Sequence, residues 1–404
     1  MDIESLRKII IDRIDMTREI EEEEFRKIID EVIEENSDVK KISVSKRLDL
    51  HNKLFNSIRG LGVIEDYVRD DSVTEIMVNG PDNIFIEKNG RIVKVKEKFS
   101  DKHRLEDVIS QIVGKTNKRV NESEPIVDTR LENGSRVNVV MPPIALDGAA
   151  LTIRKFPKKA VTMEDLIDLD SLTKPVAEFL EKCVKSRLNI FISGGTSSGK
   201  TTFLNALSNY IPRNERIITI EDSAELRLSN IDNLIRMETR PPNLEGKNEV
   251  TIRDLIKSSL RMRPDRIIVG EVRGEEVIDM LGAAMNTGHD GSMSTGHANS
   301  AKDMMSRLET MILMGMDIPL AAIRSQIASA LDMVIHLARL RDKTRRVVEI
   351  DEVRGVENGE IILAPIFKFV EDETKVDGKI KGELVRCGKL VNREKILNNG
   401  LDFQ

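Results

Sequence analysis

Apolar residues fall at helical spacing early in the chain. Phe25, Ile28, Ile29, Val32 and Ile33 share one face among the acids 21–24, Glu31, Glu34 and Glu35. This predicts a helical region over about residues 1–60, with the acidic run as a solvated face. From 61 to 156 the period shortens. Residues 72–80 read as a strand ending in a turn that Pro81-Asp82 continues, and 84–87 and 91–95 as strands joined by a hairpin turn at Lys88-Asn89-Gly90. A helix near 105–116 and strands near 136–141 and 150–155 complete an α+β domain with a mostly antiparallel sheet. Residues 157–175 read as a linker with short helical turns. From 176 to 404 strands and helices alternate, the signature of a parallel α/β sheet, with strands expected at 188–193, 217–220, 266–269, 291–294 and 333–337. Two further runs, 347–353 and 361–370, are separated by a turn at Glu357-Asn358-Gly359.

Composition narrows the class. A chain of 404 residues exceeds the size at which one core keeps growing, so two or three domains are expected. Hydrophobic residues at 40% and charged residues at 33% describe a soluble globular protein. No apolar run approaches the ~20 residues needed to cross a bilayer, and the charged start does not resemble a secretory signal, so a cytoplasmic location is expected. Cys183 and Cys387 are too few and too far apart for a metal ribbon or a disulfide framework, and no structural zinc is expected. The net charge of −6, with bases and acids interleaved, argues against a broadly basic nucleic-acid surface. Aromatics at 3%, with no tryptophan, weaken any platform for stacking bases.

Chemistry concentrates at Gly194-Gly195-Thr196-Ser197-Ser198-Gly199-Lys200-Thr201, which matches the phosphate-loop pattern and leads into Thr202. The glycines permit a bend that turns several N–H groups inward, making a nest for anionic phosphates. Lys200 brings a point charge to the β- and γ-phosphates, and Thr201 offers a hydroxyl to Mg²⁺. A strand before the loop and a helix after it put the positive helix end beneath the phosphates. The pattern predicts binding of a nucleoside triphosphate.

Hydrolysis also needs acids, a water-orienting group and positive charge near the γ-phosphate. Arg266-Ile267-Ile268-Val269-Gly270-Glu271 is an apolar strand ending in a carboxylate, a Walker B pattern with glycine where aspartate is usual. Ile217-Ile218-Thr219-Ile220-Glu221-Asp222 is a second strand ending in acids, with Glu225 nearby. Parallel strands would deliver both to one sheet edge. The loop 287–300 carries His289 and His297, and one imidazole is expected to reach the γ-phosphate; two histidines without a third ligand make a weak zinc site. His51, His103 and His336 lack such a setting. Arg240, Arg261, Arg263 and Arg273 lie near the acids, while Arg130, Arg136 and Arg154 belong to the preceding domain.

Taken in order, these motifs resemble the type II/type IV secretion ATPase superfamily of bacteria and archaea, in particular its CpaF-type branch for Flp/Tad pilus assembly. The resemblance covers about residues 60–370. It rests on Thr74-Glu75-Ile76-Met77-Val78-Asn79-Gly80, Leu151-Thr152-Ile153-Arg154-Lys155-Phe156, the phosphate loop and Thr219-Ile220-Glu221-Asp222. It continues through Glu238-Thr239-Arg240-Pro241-Pro242, Arg263-Pro264-Asp265, Val269-Gly270-Glu271-Val272-Arg273-Gly274 and the 287–300 loop. The resemblance implies a RecA-like P-loop NTPase domain preceded by a PAS-like α+β domain. It implies ATP and Mg²⁺ as cofactors, Glu221 as the water-activating base and Glu271 as a metal ligand through water. His297 would sense the γ-phosphate with His289 supporting its loop. Arg136 and Arg154 would close over the nucleotide, and Arg240 would stand near the active site. It further implies a homohexamer on the inner face of the cytoplasmic membrane, driving a platform protein of a pilus or secretion system. The tetracysteine zinc module of the type II secretion E-type ATPases is absent from the sequence. A RecA-like helicase and a slow nucleotide switch would share the loop. Stimulation by nucleic acid would mark the first, and unchanged turnover in a Glu221→Gln variant the second.

Overall fold

A computed structural model describes residues 3–14, 18, 20–36, 43–88, 90–116, 118–156, 160–242, 246–286, 288–372 and 380–401, with only the backbone of Glu4, Ala283 and Ala284. Asn89 of the expected hairpin turn, residues 157–159 of the expected linker and Thr287 of the histidine loop lie outside them. The chain divides into two units, Met1–Lys158 and Lys159–Gln404.

The first unit opens with α1 (Ile3–Arg13), α2 (Glu22–Glu35) and α3 (Val44–Ile58). Their apolar faces close a small core of Leu6, Ile10, Phe25, Ile29, Val32, Ile33 and Leu54, with the Phe25 and Phe55 rings 5.6 Å apart. After α4 (Glu65–Arg69) come β1 (Val73–Asn79), β2 (Ile84–Lys88), β3 (Arg91–Lys94), α5 (Lys102–Gly114), β4 (Ile126–Arg130), β5 (Arg136–Val140) and β6 (Ala150–Arg154). The strands form one antiparallel sheet in the order β3-β2-β1-β6-β5-β4. Alternate residues such as Ile76, Val78, Val137, Val139, Leu151 and Ile153 share a core with Leu105, Val108, Ile109 and Ile112 of α5. Strand β4 is not apparent in the sequence because only Val127 and Thr129 of its residues are buried, and an acidic, proline-containing stretch precedes it.

The second unit comprises α6 (Met163–Asp168), α7 (Lys174–Lys185), β7 (Ile190–Gly194), α8 (Lys200–Ser208), β8 (Arg216–Glu221), β9 (Asn233–Glu238), α9 (Ile252–Ser259), β10 (Arg266–Val269), α10 (Glu276–Asp279) and β11 (Met293–His297). It continues with α11 (Ala301–Gly315), α12 (Leu320–Ala330), β12 (Met333–Arg339), β13 (Arg345–Glu357), β14 (Glu360–Glu371), β15 (Gly382–Arg386) and α13 (Glu394–Asn398). The nine strands lie in the order β15-β14-β13-β12-β7-β11-β10-β8-β9. Six of them, β12 through β9 in that order, run parallel, and β13 to β15 extend the sheet antiparallel. Strand β9 escapes the sequence reading because it is a half-exposed edge, Asn233-Leu234-Ile235-Arg236-Met237-Glu238. Its polar residues match what edges carry to deter further pairing.

Residues 163–175 depart from the expected linker. Thr162 and Asp165 form a reciprocal capping box that starts α6, and Met163, Leu166 and Leu172 are buried with Leu180, Cys183 and Leu204 in the second unit's core. The stretch is short, so its helical period spans too few turns to be distinctive.

One buried acid in the sheet extension makes a measurable prediction. Asp351 of β13 is 2% exposed, and its Oδ2 has no hydrogen-bond partner among the described residues. Burial, reinforced by Glu349 and opposed by Lys368, pushes its carboxyl up to about 7 from an ordinary 3.8. Between those values the folded chain holds more protons than the unfolded one, so this group removes stability as pH rises across the window. Asp351→Asn should therefore gain on wild type by ~1–3 kcal/mol between pH 5 and pH 8. Thermal unfolding of both proteins at the two pH values checks this; an unchanged difference overturns it.

Candidate functional site

Strand β7 is buried throughout, and its C-terminal end releases the phosphate loop at the centre of the second sheet. A Cβ on Gly194 would collide with the Leu337 carbonyl of neighbouring β12 and lie 2.6 Å from Ser198 Oγ. Ser197 takes φ +58° and Gly199 φ +95°, and Gly199 caps α8. Gly195 is half-buried, Thr196 and Ser197 are exposed, and Thr201 and Thr202 occupy the first turn of α8. The loop is therefore strand, left-handed turn, helix N-terminus, the arrangement that presents N–H groups and a positive dipole end to an anion.

Lys200 is 7% exposed and folds back over this loop. Its Nζ donates to the carbonyls of Gly194 and Gly195 and to His297 Nδ1, each at 3.1 Å. Burial lowers the lysine pKa, opposed by the Glu271 charge. His297 closes β11, which lies beside β7, and its Nε2 sits 2.7 Å from Glu271 Oε1. An imidazole that accepts at Nδ1 must carry its proton on Nε2, so the neutral tautomer fits both neighbours. Burial lowers the His297 pKa in the same sense, with Lys200, Arg273 and Arg307 adding to it against Glu271. Glu271 Oε2 accepts from Arg273 at 2.6 and 3.0 Å, and Arg273 also lies 3.6 Å from Asp222. Lys200, His297, Glu271 and Arg273 thus form one continuous polar chain.

The scaffold beneath is tight. Thr295 Oγ1 donates to the Gly270 carbonyl at 2.8 Å, and Val272 N donates to the Thr295 carbonyl at 3.0 Å, locking the Walker B turn to β11. Gly270 has its own reason. A Cβ there would stand 2.9 Å from Glu221 Cγ and 3.3 Å from its Oε1, so the missing aspartate makes room for Glu221 at the next strand end. Gly270→Ala is expected to cost ~1–3 kcal/mol through overpacking, read as a lowered midpoint in denaturant unfolding. A midpoint equal to wild type overturns this account.

Glu221 packs against that glycine but turns back on its own chain. Its carboxylate accepts from Glu225 N at 2.9 Å and Leu226 N at 3.0 Å, and it is 3% exposed. Burial raises its pKa, against the pull of those two amides.

Other expected site residues also stand outside this chain of contacts. Arg240 follows β9 on the exposed surface, where its Nε donates to the Asn248 carbonyl at 2.8 Å; among the described residues it bonds neither Lys200, Glu271 nor His297. Arg136 and Arg154 stand in the first unit, directly opposite each other on β5 and β6. The register extends that row to Arg130 on one side and to Glu75 on the other. His289, expected to support the loop of His297, precedes β11 while His297 ends it, so the strand separates them by roughly 13 Å or more at ~3.3 Å per residue. Its turn belongs to the opposite end of the sheet, where Ser292 Oγ donates to the His289 carbonyl at 2.7 Å.

Sequence reasoning named Arg273 without assigning it to the site, and missed Arg345, whose Nε donates to the Ser197 carbonyl at 2.9 Å. Among the described residues, two buried oxygens at the loop have no hydrogen-bond partner, Ser198 Oγ and Glu271 Oε1. Unfilled polar atoms beside a helix N-terminus and a lysine fit a phosphate with an attendant cation.

A profile of the family described as Type II/IV secretion system protein matches residues 58–377. A Mycobacterium tuberculosis protein named for conjugal transfer is 34% identical over 310 residues, spanning 75% of this chain and 87% of that protein. The type IV secretion system protein PtlH of Bordetella pertussis is 30% identical over 316 residues, spanning 72% and 93%. The solved structure of the pilus retraction motor PilT with bound ADP aligns with a TM-score of 0.52 at 20% identity, over 84% of this chain and 86% of that one, a likeness of fold. No helix among the described residues is long and apolar enough to cross a membrane. With a RecA-like α/β fold, a phosphate loop and a family match over most of its length, the chain belongs to the Type II/IV secretion system protein family and is an ATPase of that family.

Proposed function

We propose that this chain is a Mg²⁺-dependent ATPase motor of the CpaF type, working as a homohexamer on a membrane platform protein to assemble a pilus or drive secretion. The observation that carries the reading is the continuous chain Lys200–His297–Glu271–Arg273 at the phosphate loop. It links the lysine that would neutralise the β- and γ-phosphates to the Walker B acid through an imidazole that would register the terminal phosphate.

In this reading residues 194–202 bind the phosphates. Thr201 and, through water, Glu271 would hold Mg²⁺, which when bound would offset the charge of the β- and γ-phosphates. Glu221 would orient and deprotonate the attacking water after exchanging its amide partners for it. Its burial-raised pKa suits a group that must take up a proton. His297 would release Lys200 and turn a ring N–H toward a γ-phosphate oxygen, so ATP and ADP would leave Glu271 differently partnered. Arg273 holds Glu271 in place. Arg136 and Arg154 lie side by side in one sheet, with Glu75 next to Arg154, and would supply positive charge for an anion. Arg240 would act only after leaving its own loop.

The test is Mg-ATP turnover by the purified chain with its mass in solution, with and without nucleic acid. Expected is a nucleotide-dependent hexamer whose slow hydrolysis needs Mg²⁺ and ignores DNA. A monomer or dimer whose turnover jumps with DNA overturns the motor reading in favour of a helicase.

A further inference from the structure

We propose that Arg345 is a positioning residue for the phosphate loop, setting nucleotide affinity without touching the reacting atoms; the inference rests on the phosphate-loop reading above. A nest of inward N–H groups requires the loop's carbonyls to turn outward. Ser197 is where this is hardest, since it is exposed, is not glycine, and holds φ +58°. Its carbonyl receives Arg345 Nε at 2.9 Å. The stem of the same side chain covers the loop's other left-handed residue, with Arg345 Cδ 3.4 Å from where a Cβ on Gly199 would stand. One arginine therefore braces both turns that aim the N–H groups.

The arginine is itself held. Ser171 Oγ donates to the Arg345 carbonyl at 2.9 Å, and Val347 N donates to the Ser171 carbonyl at 2.9 Å, pinning the start of β13 on both sides. Ser171 lies between α6 and α7. A continuous path of hydrogen bonds thus runs from that connection, through Arg345, to the phosphate loop. The sheet order favours positioning over chemistry. Strand β13 lies two strands from β7 on the side away from β11, β10 and β8, whose C-terminal ends lead to or carry His297, Glu271 and Glu221.

The bond count of the side chain gives a discriminating test. Glutamine places its amide nitrogen as many bonds from Cα as the arginine Nε, so Arg345→Gln keeps a donor for Ser197 and loses the charge. Arg345→Met keeps the stem and loses both. Binding of a fluorescent ADP analogue and the steady-state constants for ATP would be measured for each, after thermal unfolding confirms the fold. Arg345→Met is expected to weaken ADP and raise KM about tenfold, the scale of one lost charge-assisted bond, with kcat within about threefold. Arg345→Gln should recover most of that affinity. Ser171→Ala, which frees only the Arg345 carbonyl, should weaken ADP about twofold to threefold, as one neutral hydrogen bond would. Unchanged ADP binding in Arg345→Met overturns the proposal. So does a glutamine variant as weak as methionine, which would mean the charge acts on nucleotide directly, or a fall in kcat at constant KM. Wild type that binds ADP but does not hydrolyse ATP would sink the motor reading and leave this comparison intact. Wild type that binds no nucleotide would sink both.

Discussion

Lys200→Ala is expected to lower ATP turnover by about a thousandfold or more and to weaken nucleotide binding by about a hundredfold. The ammonium is the buried positive charge of the phosphate loop, and three acceptors meet it. Two are loop carbonyls, so in the absence of phosphate the lysine stitches the loop to itself. Alanine removes the charge that the β- and γ-phosphates would meet, and it also takes one of the donors from the Gly194 carbonyl at a fully buried strand end. Lys200→Met separates the two effects, because it fills the same space without the charge. If methionine restores binding but not turnover, the charge belongs to catalysis; if neither returns, to both. Equilibrium titration with ADP and phosphate release from ATP give the two numbers. Turnover within about tenfold of wild type in both variants would mean the loop does not cradle phosphate.

Glu271→Gln is expected to lower turnover by about a hundredfold to a thousandfold while leaving ADP affinity within about fivefold. The carboxylate faces His297 on one oxygen and Arg273 on the other, with its side chain 19% exposed. Glutamine can occupy the same space, but it carries no charge for Arg273 or for a cation. The fold should survive, since the Arg273 side chain is 61% exposed and water can replace its partner. What is lost is therefore negative charge at the Walker B end, needed to hold the cation. The diagnostic readout is the Mg²⁺ concentration for half-maximal turnover, which should rise for Glu271→Gln and stay fixed for a surface control such as Arg213→Gln. No change in Mg²⁺ demand would remove Glu271 from the metal's surroundings.

The phosphate loop was readable from sequence because its chemistry is contiguous. Gly194 to Thr201 must be neighbours in the chain to bend around one anion, so spacing alone exposes them. Parallel strands β7, β8, β10 and β12 were legible for a related reason, being short apolar runs buried on both faces. What stayed hidden depends on lateral register. Arg345 meets Ser197 across 148 residues, and no local pattern announces that hairpin β12–β13 ends beside β7. The pairing of Arg136 with Arg154 likewise requires knowing that β5 and β6 are aligned at those residues. His289 was expected to support the His297 loop, although a strand was expected between them at 291–294. That strand runs two to three residues later, over Met293–His297, and puts the two imidazoles at opposite ends of it. Glycine at 270 looked like a departure from a motif; in space it is the vacancy that Glu221 fills.

The placement of residues 163–175 has a practical corollary for dissecting the protein. A fragment begun at residue 176, where the alternating pattern becomes obvious, would lack the apolar anchors Met163, Leu166 and Leu172 together with Ser171. Such a piece would expose the α7 surface they cover and release Arg345. Its nucleotide affinity would then report the cut rather than the enzyme. Beginning at residue 160 retains the cap of α6 and keeps the loop's outer brace tied down, so only fragments of that extent offer a fair measure of what the second unit does alone.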